Sequence, residues 1–426
     1  MSGISCLVQN QEIPRFIRVR QKFDQSFLTE KEIRGQLLSE LHRKGLLEGI
    51  KQGQRICVTA GSRGIANIAF VTRTLAELVK ERGAYPSVIP AMGSHGGATA
   101  RGQLEILAGY GITEKAMGCP IISSMETKQI GEINGLPVLI DRYAAGCDGI
   151  IAVNRIKPHT GFRGPFESGL MKMLTIGLGK QKGAAVCHEA GFSLMAERIP
   201  LLGKEILRKA PVLMGIGLLE NAVEKTRRVV ALAPEEIERE EPPLLEEARR
   251  FMGRLYFESC DILIVRQIGK NFSGDGMDPN VTGRFCSPYA SGGLRAERIG
   301  ILDLAEASHG NGTGMGKADI ATRRFYEKLS FDATYPNFIT TGTPFDYKMP
   351  IIADNDREAI QTLLSCCQGM DLQRPEIILI NNSLELDRIL ITPWLLDKAV
   401  DQERIQALPG ELALRFGAAG ELLTEI

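Results

Sequence analysis

Short apolar segments alternate along the chain with longer segments whose apolar residues recur every three or four positions. The segment 67–80 is of the second kind, because Ile68, Val71, Leu75 and Leu78 fall on one stripe of a helix. The short segments are rich in β-branched residues and end at glycine or polar residues, as buried strands do. We predict strands at 55–60, 87–91, 149–153, 212–218, 228–232, 261–267, 298–304 and 376–381.

Helical periodicity fills most of the gaps between these strands. We predict helices at 67–80, 99–108, 171–177, 183–197, 316–328 and 356–365. Alternation of strands and helices at this pitch predicts an α/β fold with mostly parallel sheets and helices on both faces. In such sheets, ligands bind beyond the carboxyl ends of the strands, where this chain has glycine-rich loops.

The length and one acidic segment indicate two domains. A chain of 426 residues is too long for one ordinary core. Residues 233–250, APEEIEREEPPLLEEARR, form an acidic, proline-containing stretch with the character of a solvated helix and turn. We predict an N-terminal α/β domain over 1–255 and a C-terminal α/β domain over 256–426, with the active site in the cleft between them.

Charge and hydropathy exclude several kinds of partner. Lysine plus arginine equals aspartate plus glutamate at 51 each, which gives no reason to expect nucleic acid or an anionic membrane as a partner. No apolar run reaches the roughly 20 residues that span a bilayer. We expect a cytoplasmic protein that acts on a small molecule. The sequence leaves the oligomeric state open, and a homo-oligomer is compatible with it.

The nine cysteines predict neither disulfides nor a cysteine-only metal site. Their number is odd, and no CxxC pair occurs. We expect reduced and mostly buried thiols.

Histidines in unusual loops are the main candidates for chemistry. His95 lies in MGSHGGAT after a predicted strand, and His159 lies in NRIKPHT after another. Lys172, surrounded by apolar residues, is followed by the loop GLGKQKG and then by His188. That loop lacks the GxxxxGK[ST] spacing of a phosphate-binding P-loop. Taken singly, each residue is equally compatible with a structural role.

Polar residues at other strand ends suit an anionic substrate. Arg63 follows the first predicted strand, and Gln267 and Lys270 lie at the end of a strand of the second domain. An arginine at such a turn binds a carboxylate or phosphate through two hydrogen bonds. Three further polar residues are weaker candidates for the same cleft, namely Asp275, Asp278 and His309.

Order and spacing make these residues more informative together than apart. The combination resembles the lactate racemase family that depends on a nickel-pincer nucleotide, and the correspondence runs through both predicted domains. Its most specific features are a lysine and a histidine separated by a glycine-rich loop, and a glutamine three positions before a lysine. The matching residues are Arg63, His95, His159, Lys172, His188, Gln267 and Lys270.

The resemblance implies a cofactor site. In this family, a pyridinium-derived nucleotide binds nickel through sulfur, carbon and sulfur and is tethered to a lysine, which here would be Lys172. His188 would be the protein ligand of nickel, a role that suits imidazole. Our own addition is that the loop containing Gly179, Lys180 and Lys182 would accommodate the nucleotide phosphate.

The resemblance also implies a reaction, the inversion of C2 in a 2-hydroxy acid. The C2 hydrogen leaves as hydride to the cofactor and returns to the other face of a flat 2-keto acid. His95 and His159 would be the two general acid–base residues, one for each side. Arg63 would bind the substrate carboxylate, with Gln267 and Lys270 contributing from the second domain.

Two departures from the family pattern leave the substrate open. Ala60 stands where the family has an aspartate three residues before the arginine, and the usual SGGRK string is missing before Lys172. Lactate, a longer aliphatic hydroxy acid, a dicarboxylic hydroxy acid and a sugar acid such as gluconate all remain candidates.

Three other readings of the same residues are weaker. A nicotinamide-dependent oxidoreductase would need a clean GxGxxG after a strand, and GSRGIAN does not supply it. A metal hydrolase using His95, His159 and His188 would need a carboxylate partner for its water. A non-catalytic protein that binds a metabolite or the nickel cofactor would have no need of His95 and His159.

Overall fold

A computed structural model describes residues 3–62 and 64–426. The described residues form fifteen strands: β1 Phe16–Gln21, β2 Arg55–Ala60, β3 Tyr85–Pro90, β4 Thr127–Ile133, β5 Leu136–Asp141, β6 Gly149–Arg155, β7 Val212–Glu220, β8 Thr226–Leu232, β9 Ser259–Ile268, β10 Arg295–Leu304, β11 Ile320–Thr322, β12 Ile351–Ala353, β13 Ile377–Ile380, β14 Arg388–Ile391 and β15 Ile405–Leu412.

Thirteen α-helical segments accompany the strands in the same residues. They are α1 Gly3–Val8, α2 Glu30–Arg43, α3 Ile68–Glu81, α4 Ala100–Gly109, α5 Glu114–Met117, α6 Leu170–Lys172, α7 Lys180–His188, α8 Met195–Lys209, α9 Pro234–Phe251, α10 Pro279–Thr282, α11 Arg323–Glu327, α12 Phe331–Thr341 and α13 Asp356–Cys366. A π-helical turn, Met173–Gly177, connects α6 to the segment before α7. Short 3-10 turns cover Leu46–Gly49, Gly96–Ala98, Ala144–Gly146, Gly191–Leu194, Glu306–Ser308, Met315–Lys317, Pro344–Tyr347, Pro393–Lys398 and Gln402–Arg404.

The chain divides into two compact units. The first unit is Gln25–Met252, and the second unit combines the residues up to Asp24 with Gly253–Ile426. The predicted division assigned the N-terminal residues to the first domain. Instead, β1 pairs antiparallel with both β14 and β15, so this strand belongs to the sheet of the second unit.

The sheet of the first unit has the order β3-β2-β6-β7-β8. Its first four strands are parallel, and β8 is antiparallel to β7. Both faces are covered, because Cys57 of β2 packs into one apolar cluster while Ile56 and Val58 pack into another. A strand that is buried on both faces reads as a continuous apolar run, and RICVTA is such a run.

The sheet of the second unit has the order β12-β11-β10-β9-β13-β14-β1-β15. The five strands from β12 to β13 are parallel, and the remaining pairs are antiparallel. The predicted helix over 316–328 is wrong in its middle, because Ile320–Thr322 forms the parallel strand β11 beside β10. No helix in the described part of the chain is both long enough and apolar enough to cross a lipid bilayer.

Candidate active site

Three neighbouring strands of the first unit deliver candidate residues to one edge of its sheet. The strands β3, β2 and β6 are adjacent and parallel, so the loops after their carboxyl ends lie side by side. His95 follows β3, and His159 follows β6. Arg63 follows β2, but it lies outside the described residues. The expected grouping of the two histidine loops at this edge therefore agrees with the sheet topology.

His95 is exposed on a tight loop whose backbone conformation requires glycine. Gly96 has a φ of +67°, and a Cβ placed there would lie 2.5 Å from the carbonyl carbon of Gly102 at the start of α4. Gln103 of α4 donates from Nε2 to the carbonyl oxygens of Gly93 at 3.0 Å and His95 at 3.3 Å. The backbone around His95 is thus held against α4, and its side chain is exposed.

His159 is half-buried, with its ring held on two sides. Its Nδ1 accepts a hydrogen bond from the backbone N–H of Gly161 at 2.9 Å. The ring packs against Phe162 at a centroid distance of 4.5 Å. Its backbone N–H donates to Oε2 of the buried Glu167 at 2.6 Å. These contacts give the imidazole one defined orientation.

Lys172 and His188 lie on consecutive helical segments. Lys172 ends α6 and is half-buried, and His188 ends α7. Burial, together with the positive charge of Lys172, lowers the pKa of His188 to about 4. The imidazole is therefore neutral near pH 7, as a histidine must be to ligate a metal. The charge of an amine thus acts on a neutral imidazole in the folded chain.

Phe192 connects the two half-buried histidines. Its ring centroid lies 5.9 Å from that of His159 and 6.1 Å from that of His188. Gly161 makes room for it, because a Cβ there would lie 2.7 Å from the Phe192 ring. Phe192 follows the break at Gly191, which separates α7 from α8, where the sequence predicted one continuous helix over 183–197. Sequence reasoning did not identify this residue.

Gly179 and Lys180 have structural tasks. A Cβ on Gly179 would lie 2.2 Å from the carbonyl oxygen of Thr175, so no larger residue fits. The Lys180 side chain is fully buried, and its Nζ donates to the carbonyl oxygen of Pro90 and lies 3.2 Å from Oδ2 of Asp141. Burial lowers the pKa of Lys180, and Asp141 opposes this effect. The predicted contact of both residues with a cofactor stays a prediction.

Gln267 is the second-last residue of β9 in the second unit, and Lys270 follows that strand. Gln267 donates from Nε2 to Oδ2 of Asp303 at 3.3 Å, and Asp303 also pairs with Lys328 at 2.9 Å. Lys270 donates from Nζ to Asn337 at 3.0 Å. Both predicted residues thus belong to polar networks at the carboxyl end of this sheet. Their contact with a substrate, and the cleft expected between the domains, stay predictions.

The weaker candidates of the second unit have local roles. Asp278 accepts a hydrogen bond from the backbone N–H of Asn280 at 2.9 Å and so caps α10. His309 ends the 3-10 turn Glu306–Ser308 with a left-handed φ of 49°. Neither observation indicates a ligand.

A cluster of possible metal ligands in the second unit already contains a cation. Ligand atoms of Asp275, Cys286 and Asp346 lie within 4.8 Å of one another. The fully buried ammonium of Lys317 lies 3.4 Å from Asp275 and 3.1 Å from Asp346. Burial also raises the pKa of the Cys286 thiol to about 12, so it is protonated near pH 7. The lysine supplies the charge that a metal ion would otherwise bring.

Comparisons with known proteins support the fold. No protein-family model matches the sequence, and no curated protein matches it. The solved structure of the lactate racemase apoprotein from Thermoanaerobacterium thermosaccharolyticum is similar, with a TM-score of 0.52 and 13% sequence identity. The similarity covers 87% of this chain and 99% of that chain. At this identity the likeness shows a related fold alone, and the predicted α/β class with mostly parallel sheets is confirmed.

Proposed function

We propose that the protein is an isomerase that inverts C2 of a 2-hydroxy acid and binds a nickel-pincer nucleotide. One observation carries the proposal. Phe192 packs against both His159 and His188, and the charge of Lys172 acts on His188, so one region of the first unit holds two half-buried imidazoles and an amine. The fold shared with a lactate racemase apoprotein supports the same assignment.

The residues of this region fit the cofactor. A half-buried lysine suits a covalent tether, and a histidine that stays neutral near pH 7 suits nickel. We assign the tether to Lys172 and the nickel ligand to His188. When bound, the cofactor would supply a reversible acceptor for the C2 hydrogen as hydride.

The protein residues then have the task of moving the hydroxyl proton. His95 and His159 follow β3 and β6, the two strands that flank β2, and each would exchange a proton with the substrate oxygen on its own side. Arg63, Gln267 and Lys270 are assigned to binding the substrate. We propose a small 2-hydroxy acid as the partner and do not narrow its side chain.

The first test is a measurement of the intact mass of the protein. The chain is co-expressed with enzymes that make the cofactor, and intact masses are compared for the unmutated protein, Lys172→Ala and Lys115→Ala. Lys115 is an exposed lysine of the same unit and serves as the control. A nucleotide-sized adduct with nickel is expected in all but Lys172→Ala. Absence of an adduct from the unmutated protein contradicts the proposed cofactor.

Activity is then measured as loss of optical rotation with single enantiomers of 2-hydroxy acids. His95→Ala and His159→Ala should abolish racemisation, whereas His42→Ala, at an exposed histidine of α2, should not. A loaded protein that binds hydroxy acids without racemising any of them would indicate a non-catalytic binding protein.

A further inference from the structure

Glu167 is a buried carboxyl between two arginines. Its side chain has no exposed surface. Arg163 lies 3.3 Å from its Oε2, and Arg249 of α9 donates to its Oε1. Two guanidinium groups offset the cost of burying one carboxylate, whereas an unpaired buried carboxylate would be strongly destabilising. The pairing with Arg249 attaches the loop after β6 to helix α9.

The carboxylate organises the loop that contains His159. Oε2 accepts from the backbone N–H of His159 at 2.6 Å, and Oε1 accepts from the backbone N–H of Gly164 at 3.2 Å. Arg163 donates in turn to the carbonyl oxygen of His159 at 2.6 Å. Both backbone groups of His159 are therefore fixed by Glu167 or by its arginine partner.

This loop geometry selects one tautomer of His159. Nδ1 accepts a hydrogen bond from the backbone N–H of Gly161 at 2.9 Å, so it must offer a lone pair. In the neutral imidazole the hydrogen is then on Nε2. If the backbone between His159 and Gly164 shifts, the N–H of Gly161 moves away from Nδ1, and both tautomers become populated.

We propose that Glu167 is a positioning residue for His159. By fixing the backbone of His159 and Gly164, it holds the N–H of Gly161 on Nδ1, so that Nε2 carries the proton. The exchange of that proton with a substrate hydroxyl rests on the proposed function. The tautomer of His159 is independent of the proposed function.

The first readout is the tautomer in the cofactor-free protein. Imidazole ¹⁵N chemical shifts distinguish a protonated from an unprotonated ring nitrogen, and loss of the signals in His159→Gln assigns them. We expect a protonated Nε2 in the unmutated protein and mixed tautomers in Glu167→Gln. Glu246→Gln is the matched control, because Glu246 also pairs with Arg249 but has 68% of its side chain exposed. A protonated Nδ1 in the unmutated protein would overturn the proposal.

A second variant covers the case in which Glu167→Gln does not fold. Glu167→Asp keeps the charge but shortens the side chain by one methylene, so it cannot reach both backbone N–H groups. We expect the same mixture of tautomers. Shifts identical to those of the unmutated protein in whichever of the two variants folds would refute the positioning role.

The second readout separates this inference from the proposed function. In cofactor-loaded protein, Glu167→Gln should reduce kcat about 10- to 100-fold with little change in KM, and Glu246→Gln should not. If the tautomer responds as expected but the unmutated, loaded protein racemises nothing, the proposed function fails and the positioning of His159 stands. If racemisation is observed but the tautomer of His159 does not change in the Glu167 variants, the positioning role of Glu167 is refuted and the proposed function stands.

Discussion

Glu241 is a buried carboxyl beneath the helical turn that contains Lys172. It is 1% exposed, and its Oε2 accepts from the backbone N–H of Met171 at 3.0 Å. The packing is tight, since a Cβ on Gly169 would lie 1.9 Å from Oε1. Burial raises the pKa of Glu241 to about 8, although the N–H groups of Met171 and Leu170 act against this. We predict that Glu241→Gln removes a pH dependence of stability from this unit.

The direction and the magnitude of this pH dependence of stability follow from proton linkage. The folded-state pKa is higher than the ordinary value of 4.5, so between these values the folded state binds more protons, and stability falls as pH rises. At about 1.4 kcal/mol per pH unit, the displacement to about 8 corresponds to roughly 5 kcal/mol. Roughly half of this loss, 2–3 kcal/mol, falls between about pH 6 and about pH 9. Glutamine does not ionise and should show none of it.

The assay is hydrogen–deuterium exchange of peptides that cover α6 and α9, referenced to intrinsic exchange rates at each pH. Fluorescence would be the wrong probe, because the single tryptophan, Trp394, belongs to the second unit. Glu238→Gln is the control, since Glu238 lies on the same helix with its side chain 54% exposed. Equal losses of protection in the unmutated protein and in Glu241→Gln on raising the pH would refute the reasoning.

Three further predictions test the packing and charges of the site and of the second unit. Gly179→Ala should destabilise the protein by on the order of 2–4 kcal/mol because its Cβ meets a backbone carbonyl, whereas Gly35→Ala, with open space on α2, should stabilise it slightly; thermal denaturation measures both. In the cofactor-free protein, NMR titration of His188 should show a midpoint of about 4, and Lys172→Met should raise the pKa while burial still keeps it below its ordinary value. Lys317→Met leaves the buried Asp346 and the half-buried Asp275 without their cation and should cost about 3–5 kcal/mol in urea denaturation; a change within error would contradict the ion-pair account.

The parallel strands were predictable because a strand that is buried on both faces appears in the sequence as a short continuous run of apolar residues. The predicted strand 55–60 coincides with β2, and the predicted strand 149–153 lies within β6. Strands with weaker patterns were missed, including β4, which has no buried residue, and β5, its hairpin partner. β11 was read as part of a helix because it has three residues, and its pairing with β10 is visible only in the folded chain.

The histidines were identifiable from sequence, but the residues that orient them were not. A histidine among glycines after a strand is a local pattern. The role of Glu167, in contrast, depends on its pairing with Arg249, which lies 82 positions further along the chain. Glu241 left a signal that could have been used. It lies on the stripe of Ile237, Leu244 and Ala248, the buried face of α9, so a helical reading would have marked it as a buried carboxyl.

Lys180 and Lys182 look alike in the sequence but differ in burial in the folded chain. Both follow the glycines expected to accommodate a phosphate, but Lys182 is exposed and Lys180 is fully buried. For Lys180 to reach a phosphate, it would have to leave Asp141, which has 1% of its side chain exposed and would remain as an uncompensated buried carboxylate. Breaking such a pair costs about 3–5 kcal/mol, more than an exposed lysine loses by turning toward an anion. Lys182 is therefore the residue of this loop that can supply charge to a phosphate at low cost, and only the position of Asp141 in the folded chain distinguishes the two.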